Sequence, residues 1–160
     1  MTTAAISYGT ATAMTITLAS LASSSTAGRE STVVDNTSTL AIDYIVGGKI
    51  TTGTTPTANN VIEVWAYGTH DGAEYTGSAT GADAALTPSN KSLLKLIQII
   101  QVTATSNVAH IWGPTSVANL FGGVCPSKWG IWVLNTSAVN LNSTGGNHEA
   151  YYTAVKYTSA

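Results

Sequence analysis

Two stretches of alternating residues constrain this chain more than anything else in it. They are S-T-L-A-I-D-Y-I-V at 38–46 and V-I-E-V-W-A-Y at 61–67. In the first, Leu40, Ile42, Tyr44 and Val46 share one side of a pleat, with Ala41, Asp43 and Ile45 on the other. In the second, Ile62, Val64 and Ala66 oppose Val61, Glu63, Trp65 and Tyr67. Period-two patterning in β-branched and aromatic residues specifies half-buried strands. The intervening G-G-K-I-T-T-G-T-T-P-T-A-N-N has the Gly, Pro and Asn content of a long loop. The two arms are therefore read as a long hairpin over residues 38–69.

The composition extends this to the whole chain. Of the 160 residues only 9% are charged, against about a quarter in an average soluble protein, while 44% are hydrophobic and roughly a quarter are Ser or Thr. That much apolar material under a neutral polar surface describes a folded β domain, since Thr suits the outer face of a strand. The length implies a single domain over residues 1–160. A net charge of −2, with Arg29, Lys49, Lys91, Lys95, Lys128 and Lys156 scattered, gives no footprint for nucleic acid. The N-terminal M-T-T-A-A-I-S-Y lacks the basic and apolar blocks of a signal peptide, and no apolar run reaches the ~20 residues that span a bilayer. Asn-x-Ser/Thr matches at Asn36, Asn90, Asn135 and Asn142 carry no glycosylation meaning without secretion.

Further strands are expected along the chain. T-A-M-T-I-T-L-A-S at 12–20 turns Met14, Ile16 and Leu18 inward, and residues 31–34 form a short strand. Residues 68–90 are the longest polar segment, read as a surface excursion over one end of the fold. L-L-K-L-I-Q-I-I-Q-V at 93–102 fits either a fully buried helix or a strand, and its β-branched content favours the strand. V-A-H-I-W gives another strand, ended by Gly113-Pro114. Thr115 is expected to cap a helical turn over 115–120. Residues 129–135 and 150–158 are read as the final strand pair, with a strand in A-V-N-L-N-S and a turn in T-G-G-N-H between them. The sum is an antiparallel β-sandwich of about eight strands, with a jelly roll the favoured topology.

Candidate chemistry is sparse. His70, Asp71, Glu74 and Asp83 place an imidazole and three carboxylates in one polar segment, but their spacing matches no Ca²⁺ loop. His110, within an apolar strand, and His148-Glu149, at a turn, are too scattered to form a zinc site. Asp43 and Glu63 become cross-strand neighbours if the hairpin holds, on an exposed face with no cleft. Cys125, the single cysteine, reads as a small buried hydrophobe. There is no nucleophile elbow and no phosphate loop. No catalytic, cofactor or metal residue is assigned, and no enzyme activity or cofactor is expected. Trp65, Trp112, Trp129 and Trp132 could build a sugar-stacking platform, but all sit within apolar strand patterns, which favours core packing for at least two of them.

Several stretches, taken together, resemble small virion proteins of tailed bacteriophages. They are G-R-E-S-T-V-V-D-N (28–36), L-A-I-D-Y-I-V-G-G-K-I-T-T-G-T-T-P-T-A-N (40–59), I-E-V-W-A-Y (62–67), S-V-A-N-L-F-G-G-V-C-P-S-K-W-G-I-W-V-L-N-T-S (116–137) and E-A-Y-Y-T-A-V-K-Y (149–157). Proteins of this kind resemble jelly-roll capsid cement or decoration proteins. The resemblance implies a structural protein on the outer capsid surface of the virion, made in the host cytoplasm. It implies the major capsid protein as partner and a homo-oligomer, dimer or trimer, on the shell, with neither nucleic acid nor membrane as a partner. A tail, collar or head–tail connector component, or a carbohydrate-binding module, is the alternative. The expected contact segments are residues 68–90, residues 47–60 and the Ser/Thr-rich N-terminal third.

Overall fold

The structure, a computed structural model, describes residues 3–159. Two antiparallel sheets face each other. The first contains β1 (Ala4–Tyr8), β2 (Thr12–Ala13), β5 (Asp43–Thr51), β9 (Ala109–Ser116) and β11 (Glu149–Ser159), in the order β1-β11-β5-β9 with β2 also on β11. The second contains β3 (Gly28–Glu30), β4 (Val34–Asp35), β6 (Val61–Thr69), β7 (Ala84–Leu86), β8 (Lys95–Gln101) and β10 (Lys128–Asn135), in the order β7-β3-β10-β6-β8 with β4 also on β10. We call them the β11 sheet and the β10 sheet after their central strands.

The pairings are nested: β6 with β8, β5 with β9, β3 and β4 with β10, β1 and β2 with β11. This is the winding of a jelly roll, a long ribbon folded at its middle and wrapped so that its halves lie in opposite sheets. Eight strand positions make up the roll, in line with the expected number, although β1 was not expected and the expected strands at 12–20 and 31–34 are strand only at Thr12–Ala13 and Val34. The count of eleven arises because the first two positions are each interrupted and β7 is an additional short strand.

The hairpin reading of residues 38–69 is corrected. Its arms become β5 and β6, which lie in different sheets, so the loop between them crosses the sandwich. Alternation reports which face of a strand is buried, not which strand lies beside it. The first arm also begins later than expected: Leu40 is an exposed turn residue at φ 51°, and only Tyr44 and Val46 of its presumed inner face are buried. The second arm follows its pattern, with Ile62, Val64 and Ala66 fully buried.

Residues 93–102 resolve to a strand, β8, preceded by a short turn of 3₁₀ helix. β9 runs through Gly113-Pro114 instead of stopping there, because it is an edge strand opposite a bulge between Val46 and Gly48, where a missing N–H is tolerated. The helical turn is α1 (Val117–Leu120), capped by Ser116 and not by Thr115: Ser116 Oγ accepts the Asn119 N–H at 3.1 Å. Among the described residues no helix is long and apolar enough to cross a membrane. The last two long strands, β10 and β11, are central in opposite sheets and not a pair. The expected strand in 138–143 is reduced to a bridge between Leu141 and Thr52.

Residues 12–20 alternate as read, with Met14 and Leu18 buried, yet only Thr12–Ala13 is strand. The Met14 N–H donates to Ala150 in the β11 sheet, and Thr15 accepts the Thr32 N–H between β3 and β4. The segment thus crosses the open side of the sandwich, burying alternate side chains without a ladder.

The main core lies between the sheets and includes Met14, Tyr44, Ile50, Val64, Trp112, Trp129 and Ile131. A second cluster lies outside the β10 sheet, where Tyr67, Trp132 and Leu134 are covered by Ala79, Leu86 and Leu94. The polar segment 68–90 is therefore not an excursion over one end. It supplies β7 and seals the outer face of one sheet. Gly130 permits this packing, since a Cβ there would strike the Tyr67 ring.

Candidate functional site

The sequence-level site residues are dispersed by the fold. Asp71 closes its own turn, accepting the Ala73 and Glu74 N–H groups, both at 2.9 Å, and the Thr69 hydroxyl at 2.7 Å. Those backbone and hydroxyl donors hold its carboxyl well below the usual carboxylate range. Asp83 is a clamp. It accepts the Thr17 N–H at 2.9 Å, the Thr17 hydroxyl at 2.6 Å and Arg29 Nε at 2.6 Å, while its carbonyl accepts from Arg29 Nη2. Burial pushes the Asp83 carboxyl up, but the Arg29 and Thr17 donors outweigh it and leave it below its ordinary value. Asp43 and Glu63, once read as neighbours, lie in opposite sheets. Asp43 accepts from Ser116 Oγ and the Ala118 N–H at the start of α1, whereas Glu63 accepts from Trp65 Nε1 and Lys91 Nζ.

His148 is fixed as a neutral ring between Thr51, whose N–H donates to Nδ1 at 3.4 Å, and the Asn142 carbonyl, 2.9 Å from Nε2. Burial, aided by Lys49, lowers its pKa. His110 is lowered by burial alone, and its Nε2 has no hydrogen-bond partner. Among the described residues no group of three or more His, Cys, Asp or Glu side chains is placed to hold a metal ion. Cys125 lines a groove of about 440 Å³ with His70, Glu74, Phe121 and Pro126. Burial pushes its thiol up to about 12, which makes it a poor nucleophile.

Three of the four tryptophans are core: Trp112, Trp129 and Trp132. Trp65 is partly buried and its ring lies under Lys91 Nζ, 5.1 Å from the centroid. The accessible aromatics are tyrosines, and strand register puts them on one surface. Tyr8 lies opposite Val155, Ile6 opposite Tyr157, Thr153 opposite Ile45, and Tyr151 opposite Gly47. These positions lie on the outer side of the β11 sheet, because Ala150, Tyr152 and Ala154 take the core side of β11; of them Val155 is buried, while Ile6, Tyr8, Tyr151 and Tyr157 are exposed. Tyr8 is 70%, Tyr157 64% and Ile111 72% exposed. Gly47 leaves a shallow depression of about 340 Å³ walled by Ile45, Ile111, Pro114 and Tyr151. The charges at this end are a single ion pair, Lys49 Nζ to Glu149 Oε1 at 2.8 Å.

The two outer faces thus differ. One is sealed by residues 68–94 and the other is bare, weakly charged and aromatic. Residues 150–158 are assigned to a strand from the sequence, but this surface is not identified there, because alternation does not show whether a strand face is covered. The signal available is the spacing of Tyr151 and Tyr157. Comparison with protein-family models, curated proteins and solved structures gives no match.

Proposed function

We propose that this chain is a capsid-associated structural protein of a tailed bacteriophage, a cement or decoration protein that binds the major capsid protein shell from outside and stabilises the head. The observation that carries the proposal is the bare outer face of the β11 sheet, read together with the resemblance of the chain to such virion proteins. A contiguous apolar patch on a folded protein marks an interaction surface. Interface centres are rich in Tyr and poor in charge, as this face is. A protein that acts this way works by contact and not by chemistry. It strengthens a shell by mass action, binding assembled capsomers and not separated ones.

Imaging of the particle tests the proposal. Many symmetric copies on the outer shell are expected, and their removal lowers the temperature at which heads rupture. Heads that lack the protein and remain equally robust refute a cement role. A ring of a few copies at one vertex assigns the chain to the tail or connector instead.

One observation favours a second reading. Tyr8, Tyr151 and Tyr157 stand on a single flat face, the arrangement a glycan-stacking platform requires. Saturable binding on a glycan array, lost in Y151A, selects the carbohydrate-binding module.

A further inference from the structure

The outermost strands of the two sheets are not equally protected, and β2 and β4 are only two residues long. An open strand edge offers a row of unpaired N–H and C=O groups, which folded proteins blunt with charge, proline, bulges or brevity. β7 is three residues long and flanked by the Asp83–Arg29 pair. β8 begins with Lys95 and pairs through a bulge. β9 contains Pro114, and its Gly113 N–H is taken by Gln98 Oε1 of β8 at 2.8 Å. β1 has none of these devices. It reads A-A-I-S-Y, without charge, proline or bulge, and among the described residues no strand pairs with its second edge.

The free groups can be named. The Gly9 N–H donates to Ala154, so in the antiparallel ladder Ser7 and Ala5 also turn their backbone groups toward β11. Ala4, Ile6 and Tyr8 therefore present their N–H and C=O groups outward.

From this we infer that β1 is a self-association edge, which pairs antiparallel with β1 of a second copy about a two-fold axis through Ile6. In that register Ile6 meets its own equivalent, and Ala4 meets Tyr8 in both directions. Three residue pairs exchange about six hydrogen bonds. The side chains also match: the large Tyr8 lies over the small Ala4, and the outward face of one copy continues into that of the next. Among the described residues no like-charged side chains are opposed. The nearest, Lys156 of each copy, lies three strand spacings from its equivalent, at least ~14 Å, beyond the ~8 Å screening length at physiological salt. A strand of unrelated sequence satisfies the backbone but has no reason to supply Ala opposite Tyr8 and Tyr opposite Ala4, so a second copy is the occupant the edge specifies. The inference sharpens the homo-oligomer part of the capsid reading but rests on the edge alone. It is tested in free solution, so its failure is distinct from a failure of that reading.

Five residues a side form a contact below the ~1,200 Å² of a standard interface, so the dimer is weak. Sedimentation velocity is therefore run from about 10 µM to 1 mM, a range that reports weak association constants. The parent chain is expected to pass from monomer to dimer. I6K puts like charges face to face at the axis, and I6P removes the free-edge N–H while leaving the ladder to β11 intact. Both are expected to remain monomeric with unchanged circular dichroism. In a second arm, I6C places equivalent cysteines about 5.5 Å apart between Cα atoms, within disulfide reach. Under mild oxidation I6C is expected to form covalent dimer roughly tenfold or more faster than I111C on the opposite edge. A parent chain that stays monomeric, a trimer, a dimer unaffected by I6K, or equal crosslinking of I6C and I111C overturns the inference.

Discussion

Removing the Glu30 carboxylate is the most informative single perturbation of this fold. Glu30 is on β3 and fully buried, and no basic side chain neutralises it by an ion pair among the described residues. Its partners come from the segment that seals the β10 sheet: the Thr80 N–H at 2.9 Å, the Thr80 hydroxyl at 2.8 Å and the Gly81 N–H at 3.2 Å. In E30A the Thr80 and Gly81 N–H groups lose their acceptor at a part-buried site, at about 1–3 kcal/mol each, and the buried space of the side chain is left empty. The hydroxyl can rotate to another partner and adds little. The expected loss is about 3–5 kcal/mol, which at ~2–4 °C per kcal/mol for a domain of this size lowers Tm by about 10 °C. E30Q keeps one carbonyl acceptor and should lose about 1–2 kcal/mol. The assay is urea unfolding followed by circular dichroism, with limited proteolysis across residues 70–90. T80V closes a double-mutant cycle that isolates the hydroxyl contribution. An E30A protein that melts within ~2 °C of the parent, with segment 70–90 still protected, refutes the reasoning.

Three further outcomes are expected. The Asp83 pKa is depressed in the folded state, so its stabilisation is present above the ordinary value of about 4 and is lost as pH falls through the folded value; D83N flattens stability against pH in that acid range. His148 and His110 are held neutral by burial, so their contribution is present above about pH 6.5 and declines as pH falls, and an H148Q/H110Q protein loses the slope between pH 7 and 5 in denaturant titrations. Cys125, with its thiol near 12, reacts with an aromatic disulfide reagent at pH 8 about a thousandfold more slowly folded than in denaturant; equal rates contradict the burial described.

The strands were legible where side chains alternate under a two-layer core. β6 and β11 carry that pattern, whereas β10 is buried on both faces and reads as a near-continuous apolar run, and at 93–102 it was the β-branched content that favoured a strand over a helix. Partnership was not legible. Residues 40–46 and 61–67 have the same period as a hairpin, and nothing local distinguishes a turn from a crossover between sheets. Residues 12–20 alternate for a different reason, as a strap across the open side. The polar segment 68–90 hid its role because it buries so few apolar residues, Ala79 and Leu86 among them, while a carboxylate fifty residues away in the sequence satisfies its backbone. Glu30 and Asp83 gave no signal for the same reason: their partners are set by the fold. The bare aromatic face was recoverable in part, since the alternation of residues 150–158 puts Tyr151 and Tyr157 on one side of the last strand. Tyr8 joins them only through the register of β1.

The nested winding has a consequence for synthesis. β10 and β11 are the middle strands of the two sheets, and both come from the last 33 positions of the sequence, 128–160. A nascent chain that stops short of them holds β6 and β8 as a possible pair, and β5 with β9, but β1, β2, β3 and β4 have no neighbour on which to close except β7. Until β10 and β11 are made, the polypeptide is a set of apolar strands with unsatisfied edges, the condition in which β proteins aggregate. Sheet closure is then a late event dominated by contacts between distant parts of the chain, which places folding in the slow, millisecond-to-second class. Emergence of β10 and β11 from the ribosome, and not local propensity, sets the moment at which the two sheets can close.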